Sequence, residues 1–389
     1  MIERTVAPRL WEAFSRYPLV GIVGPRQSGK STLARAVFSD LPLVNLEGLD
    51  EREFAQRDPK GFLARFPHGV VLDEIQRAPD LPSYIQVLVD ERRRPGQFVL
   101  TGSQNFVLME RVSQSLAGRI ALFKLLPLSV AELAAAGSAG TPLFEVLFRG
   151  FYPRIHDQQL APTQWLESYL ESFIQRDVRT LRNVGDLNSF TRFLRLCAGR
   201  AANLLNLSSL AGDCGVSVGT AKAWLSVLEA SFIIFLLPPH FESFHKRLIK
   251  APKLHFVDVG LLAFLLGIRS SAELEIHARR GDLFENFVAA ELLKAKYHAA
   301  GAGDLYFWRD KSGHEIDLLI ESGPRRIPIE VKSGQTVQPD FFRSLDYWRR
   351  ISGAVERGRL VYAGDTRQVR SEHTVHPWSE LAAPEQLLA

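Results

Sequence analysis

The stretch VGPRQSGKSTLARAV, residues 23–37, holds Gly24, Gly29, Lys30 and Ser31 at the spacing G-x-x-x-x-G-K-[ST]. That spacing builds a phosphate cradle. Backbone N–H groups face the anion at a helix N-terminus, Lys30 reaches the terminal phosphates, and the Ser31 hydroxyl ligates Mg²⁺. Gly24, Pro25, Arg26, Gln27, Ser28, Gly29, Lys30, Ser31 and Thr32 are therefore the candidate nucleotide-binding residues. Asp73 and Glu74 end the apolar run VVLDEIQ, and Asp73 stands 43 residues after Lys30. There Asp73 joins Ser31 in holding the metal, and Glu74 polarises the attacking water. A third apolar run, QFVLTGS, brings up Thr101, Ser103 and Gln104, of which Ser103 is the candidate sensor of the γ-phosphate. Arg119 closes MERVSQSLAGR, with Arg111 two turns earlier, as the candidate finger offered to a neighbouring subunit.

A second constellation lies near the C-terminus, in HEIDLLIESGPRRIPIEVKSG. Asp317 is followed 13 and 15 residues later by Glu330 and Lys332, the D…E-x-K spacing of nuclease-like folds. Two carboxylates on adjacent strands can hold a divalent metal, Mg²⁺ or Mn²⁺, against a phosphate. The lysine, two residues along, shares their strand face. Glu285 shares a helix face with Val288, Ala289 and Leu292, so it points inward, where a carboxylate needs a partner. A metal is the expected partner. The competing reading is a scaffold that keeps these residues and binds DNA without cutting it.

Basic residues are unevenly placed although the formal net charge is only +4. Residues 176–200 carry Arg176, Arg179, Arg182, Arg192, Arg195 and Arg200 against Asp177 and Asp186, and HKRLIKAPK at 245–253 adds four more cations. Arg176, Arg179, Lys246, Arg247 and Lys250 are the candidate DNA contacts, through the phosphate backbone. Between the two segments, LSSLAGDCGVSVGTAKAWLSVLEA at 207–230 reads as helix, turn, helix, and the residues after it read as two strands flanking a basic tip, a winged helix. Its second helix has few polar residues to read bases, which favours backbone contacts.

The elements that position these residues follow from periodicity. Up to the alanine- and glycine-rich break at 134–142, short apolar strands alternate with helices, the pattern of an α/β domain with a parallel sheet. From 160 to about 275 helical periodicity dominates, and after 280 a helix, three strands, a helix and a strand form a smaller α/β domain. The expected division is 1–135, a P-loop core; 136–275, a helical and winged-helix region; and 276–389, a nuclease-like domain. With 389 residues and 46% hydrophobic content, the chain exceeds one core. No apolar run reaches membrane length, the first residues are charged, and two cysteines, Cys197 and Cys214, are too few for a disulfide framework or a zinc site. This excludes a membrane protein and points to the cytoplasm.

GPRQSGKSTLA, VVLDEIQ, VLTGSQNF and SLAGR together resemble the AAA+ ATPases of bacteria and archaea that carry a long C-terminal region. SYLESFIQRDV, PKLHFVDVGLLAFLLG, GDLFENFVAAEL and IEVKSG are similar to blocks of that region, so the resemblance covers nearly the whole chain. Members commonly have threonine where Ser31 stands, a change that keeps the metal hydroxyl. The resemblance implies ATP and Mg²⁺ as ligands and a homo-oligomer, a hexameric ring. The expected activity is ATP hydrolysis coupled to structure-specific DNA binding and remodelling, as in a translocase or branch-migration motor. The alternative is a nucleotide-dependent regulatory switch that binds a protein partner.

Overall fold

The computed structural model describes residues 2–103, 116–179, 186–241, 250–299, 303–353, 356–370 and 372–388. The chain divides into two compact units, one built from Glu3–Pro127 with Ala230–Phe232, the other from Leu128–Glu229 and the segment from Ile233 onward.

In the first unit, β1 (Leu19–Val23), β2 (Leu43–Asn45), β3 (Val70–Asp73), β4 (Phe98–Gly102) and β5 (Ile120–Lys124) form a parallel sheet in the order β2-β3-β4-β1-β5. Residues of β1, β3 and β4 are buried at every position, as expected of near-continuous apolar runs covered on both faces. Leu10 and Ala13 of the helix Ala7–Arg16 and Leu33 and Ala34 of the helix Lys30–Val37 pack with Val20, Ile22, Val71 and Val99. Pairing sets Ile22 beside Thr101 and Leu72 beside Leu100, so the C-terminal ends of β1, β3 and β4 lie next to one another. In an open α/β sheet that edge is where ligands bind.

The second unit begins with helices packed around Trp165, Tyr169, Phe173, Phe190, Phe193 and Trp224. Of the expected break at 134–142, Ala134–Ser138 extends the helix Val130–Leu133 by one wide turn, and the chain leaves the helical conformation at Gly137, φ 92°. The helix Leu207–Cys214 is capped by Asn206, whose side chain accepts from Ser209 N at 3.0 Å. Gly215, with φ 74°, then turns the chain toward the helix Val218–Ala230. Strands β6 (Asn203–Leu204), β7 (Ile234–Leu237) and β8 (Lys253–Phe256) pair antiparallel in the order β6-β8-β7. The tip that would join β7 to β8, with Lys246 and Arg247, lies outside the described residues.

After β8, Asp258 caps the helix Val259–Leu265 through Leu261 N, and its other oxygen accepts from Phe151 N at 2.7 Å. Gly260 has to be glycine here, because a Cβ would come within 2.6 Å of Gly150 Cα. The long helix Arg280–His298 packs on a six-stranded mixed sheet. Its strands are β9 (Asp304–Arg309), β10 (Glu315–Ser322), β11 (Arg325–Lys332), β12 (Gly358–Tyr362), β13 (Gln368–Arg370) and β14 (His373–Pro377), ordered β13-β14-β12-β11-β10-β9. β9, β10 and β11 are antiparallel neighbours, and β12 returns parallel to β11 after the helix Arg343–Ser352. Cys197 and Cys214 are buried free thiols.

Candidate functional site

The loop after β1 is shaped by its own backbone. Gly29 (φ 92°) and Gln27 (φ 60°) both take left-handed conformations. A Cβ on Gly24 would lie 2.0 Å from the Leu125 carbonyl oxygen, so only glycine lets the loop pass β5's exit. Arg4, buried, fastens the loop by donating to Ser28 O and Leu126 O, each at 2.7 Å. Lys30 opens the helix as a buried ammonium, donating to the Pro25 carbonyl at 2.7 Å and the Gly24 carbonyl at 3.1 Å. Ser31 Oγ donates to Asp73 Oδ1 at 2.8 Å. The same carboxylate oxygen accepts from Thr101 Oγ1. Hydroxyl and carboxylate thus meet where a Mg²⁺ ion on a bound triphosphate would need an oxygen ligand and an acidic neighbour, and this donor set fits that ion.

Glu74 follows β3 with φ 58° and ψ 48°, an uncommon conformation for a residue with a Cβ and one often found where a side chain has to be aimed. Its backbone N–H donates to Thr101 Oγ1 at 3.3 Å, which ties the strand ends together. Glu74 Oε2 accepts from Ser103 Oγ at 3.2 Å and from Gln76 Nε2, and Gln76 also donates to Ser103 at 3.2 Å. Gln76 was not singled out in the sequence. Its signal was present, two residues beyond Glu74 in the same motif. Gln104 and Arg111 lie outside the described residues. Arg119, expected to serve a neighbour, forms a two-pronged ion pair with Asp90 of its own chain, Nε to Oδ1 at 2.6 Å and Nη2 to Oδ2 at 2.8 Å. That hydrogen bond is the main reason the exposed Asp90 carboxyl sits below its ordinary range.

In the second unit the four nuclease-like residues converge. β10 and β11 pair Leu318 with Ile329, which brings Asp317 and Glu330 opposite each other one position on. The β9–β10 register shifts between Ile316 and Leu319, bracketing Asp317, a device that re-aims side chains. Asp317 Oδ2 accepts from Val331 N at 2.9 Å. Lys332 Nζ lies 2.7 Å from Glu330 Oε2 and 3.6 Å from Asp317 Oδ2.

The inward carboxylate of Glu285, expected to meet a metal, meets an ammonium. Lys253 of β8, buried, has its Nζ 2.7 Å from Glu285 Oε1, in contact with Glu315, and 5.5 Å from the centre of the Phe307 ring. Asn286 explains the seat. Its amide accepts from Phe256 N at 2.6 Å and donates to Phe256 O at 3.0 Å, so β8 is clamped to the helix that carries Glu285. Burial lowers the Lys253 pKa, but Glu285, Glu315 and Asp317 outweigh it, and the amine is held above its ordinary range. Burial pushes Glu285 up to about 8, against the pull of Lys253. Glu330 is likewise pushed up to about 8 by burial and by Asp317. Among the described residues no three His, Cys, Asp or Glu side chains are placed to hold a metal ion. Lys253 and Glu315 were missed in the sequence. Lys253 was counted with the basic tip, whereas Glu315, two residues before Asp317, could have been found by strand alternation.

The basic stretch is partly engaged by the protein's own groups at its surface. Arg192 donates to Cys214 O at 2.7 Å, and Arg200 pairs with Asp213. Arg176, Arg179 and Lys250 are exposed. Arg182 lies outside the described residues. Among the described residues no helix is long and apolar enough to cross a membrane.

Residues 16–134 match a family model described as an AAA domain. Residues 140–272 and 280–381 match two domains of unknown function, DUF8612 and DUF4143. A Walker-type ATPase of Pyrococcus abyssi is similar in structure at 17% identity, covering 68% of this chain and 96% of that one, with a TM-score of 0.46. The uncharacterized protein Rv2008c of Mycobacterium tuberculosis is 31% identical over 376 residues, 96% of this chain and 82% of the relative. The uncharacterized protein Mb2031c of Mycobacterium bovis matches to the same extent. With a P-loop AAA domain ahead of a long C-terminal region, and with that identity over most of both lengths, the chain belongs to the same family as these two mycobacterial proteins.

Proposed function

We propose that this protein is a Mg²⁺-dependent ATPase of the cytoplasm that couples its cycle to binding and remodelling of DNA, as a translocase or branch-migration motor. The observation that carries the ATPase reading is the convergence of Lys30, Ser31, Asp73, Glu74 and Ser103 at adjacent strand ends, within a region that matches an AAA domain. The backbone of Gly24–Thr32 and the Lys30 ammonium bind the phosphates. Ser31 and Asp73 would hold the cation, which when bound would supply charge neutralisation on the phosphate oxygens. Glu74 accepts a proton from water as its oxygen attacks the γ-phosphorus, and the bond to the β-phosphate oxygen breaks to leave ADP and phosphate. Ser103 and Gln76 fix the Glu74 carboxylate for that step.

Support for DNA as the partner is the αβββαβ order of the C-terminal sheet, with Asp317, Glu330 and Lys332 on adjacent strands, together with exposed Arg176, Arg179 and Lys250. We read this domain and the helix-turn-helix before it as grips that recognise DNA structure rather than sequence, in a homo-oligomer, a hexameric ring in which Arg119 reaches a neighbour. An active nuclease would need a second divalent metal at the acidic cluster. A second reading, a nucleotide-dependent switch for a protein partner, is favoured by one observation. Arg192, Arg200 and Lys253, counted as basic surface, are engaged by the protein itself. ATP turnover measured alone and with duplex, forked and four-way DNA separates the two. Stimulation that fades steeply between 50 and 200 mM salt, by roughly a thousandfold in affinity for six phosphate contacts, supports the motor. Turnover indifferent to every DNA supports the switch.

A further inference from the structure

Around the acidic cluster, four carboxylates, Glu285, Glu315, Asp317 and Glu330, are met by three cations. Lys253 pairs with Glu285 and Glu315, Arg309 lies 2.8 Å from Glu315, and Lys332 pairs with Glu330 and Asp317. Asp317 also spends an oxygen on Val331 N. Glu330 Oε1 is buried with no hydrogen-bond partner among the described residues, one oxygen where a cation would need several. The cluster does not fit a divalent metal, because the ammonium of Lys253 already sits against Glu285 and Glu315 and that of Lys332 against Glu330 and Asp317.

We propose that Lys253 is the resident counter-cation of this cluster, standing where a nuclease would hold Mg²⁺ or Mn²⁺, so that the domain binds no divalent ion there and cleaves no phosphodiester. Three observations carry the assignment. The side chain is 3% exposed, so its charge is committed to the interior. Its strand cannot slide away without breaking both Asn286 bonds to Phe256. It approaches from β8, outside the six-stranded sheet, so the carboxylates fasten β8 and the hairpin it closes to the nuclease-like core. A lysine does this where a metal could not, because its stem is part of the strand and leaves only with it. The raised pKa of Lys253 agrees with an ammonium in this seat. The inference holds whether or not the protein acts on DNA.

The test is Mn²⁺ binding to the full chain without nucleotide, followed by electron paramagnetic resonance of the free ion. Wild type and Asp317→Asn should bind Mn²⁺ equally weakly. Lys253→Ala, which removes the ammonium and opens space, should gain a site on the order of tenfold tighter than any in the wild type, and adding Asp317→Asn should abolish it. The proposal is overturned if the wild type binds one Mn²⁺ that Asp317→Asn removes, or if folded Lys253→Ala gains no site. Where Lys253→Ala fails to fold, the wild-type and Asp317→Asn comparison still decides, because a difference between them refutes the seat and equality supports it.

Discussion

His255 lies two residues along β8 from Lys253, fully buried, with its ring stacked on Phe235 at 5.2 Å and neither ring nitrogen hydrogen-bonded among the described residues. Burial, with the nearby Lys253 charge, lowers its pKa from 6.5 to about 3. The native state therefore keeps it neutral, while the unfolded chain binds a proton near pH 6.5. Between pH 6.5 and 3 the unfolded state holds more protons, so stability falls as the solution is acidified. From pH 8 to pH 5 the loss is about 2 kcal/mol, the free energy of titrating the unfolded imidazole across one and a half pH units below its own pKa. Glu285 and Glu330, pushed up to about 8, act in the opposite direction. They hold protons in the native state that the unfolded chain has released, so their contribution fades as pH rises from 4.5 toward 8. Comparing wild type with His255→Phe at each pH cancels them and leaves the histidine. Phenylalanine keeps the stack on Phe235. Five of the six tryptophans, all but Trp11, lie in the unit that contains His255, so tryptophan emission during urea unfolding reports mainly on it. The stability of His255→Phe relative to wild type should rise by about 2 kcal/mol between pH 8 and pH 5. A difference unchanged within about 0.5 kcal/mol, beyond the extrapolation error of such curves, would refute the buried neutral imidazole.

Lys30→Ala should lose nucleotide affinity in a fluorescent-nucleotide titration, whereas Glu74→Gln should still bind ATP and turn it over roughly 10²- to 10⁴-fold more slowly. Normal turnover in Glu74→Gln would remove Glu74 as the base. Gly24→Ala should abolish nucleotide binding, since its Cβ would meet the Leu125 carbonyl oxygen at 2.0 Å; binding at wild-type affinity would mean the loop is held elsewhere. Mixing Arg119→Ala with Glu74→Gln subunits should recover part of the lost turnover if Arg119 acts on a neighbour, and Asp90→Ala, which releases Arg119 from its in-chain partner, should not lower turnover. Full activity of a strictly monomeric protein in light scattering would end that reading.

The parallel sheet was legible in the sequence because VVLD and FVLTG are apolar without alternation, the pattern of strands covered on both faces. The cradle was legible because its constraints are local, with Gly24, Gly29, Lys30 and Ser31 all inside one strand-turn-helix. β2 and β5 were not picked out, since LVN is too short to show a period and IALFK runs on into the apolar LLPL without a turn signal to bound it. The Asp317, Glu330 and Lys332 grouping was also readable, because a hairpin of known alternation brings those positions together. What each carboxylate pairs with was not. Lys253 in APKLHF looks like any lysine beside a basic loop, and Glu285 lies 32 residues away. Only the clamp between Asn286 and Phe256 decides that the two share a buried space. The same holds for Arg119 and Asp90, 29 residues apart. Residue type and local spacing determine which chemistry a segment can perform. Because electrostatic partnership depends on distance in space and on exclusion of water, the fold alone decided which charges were left to act and which were spent holding the protein together.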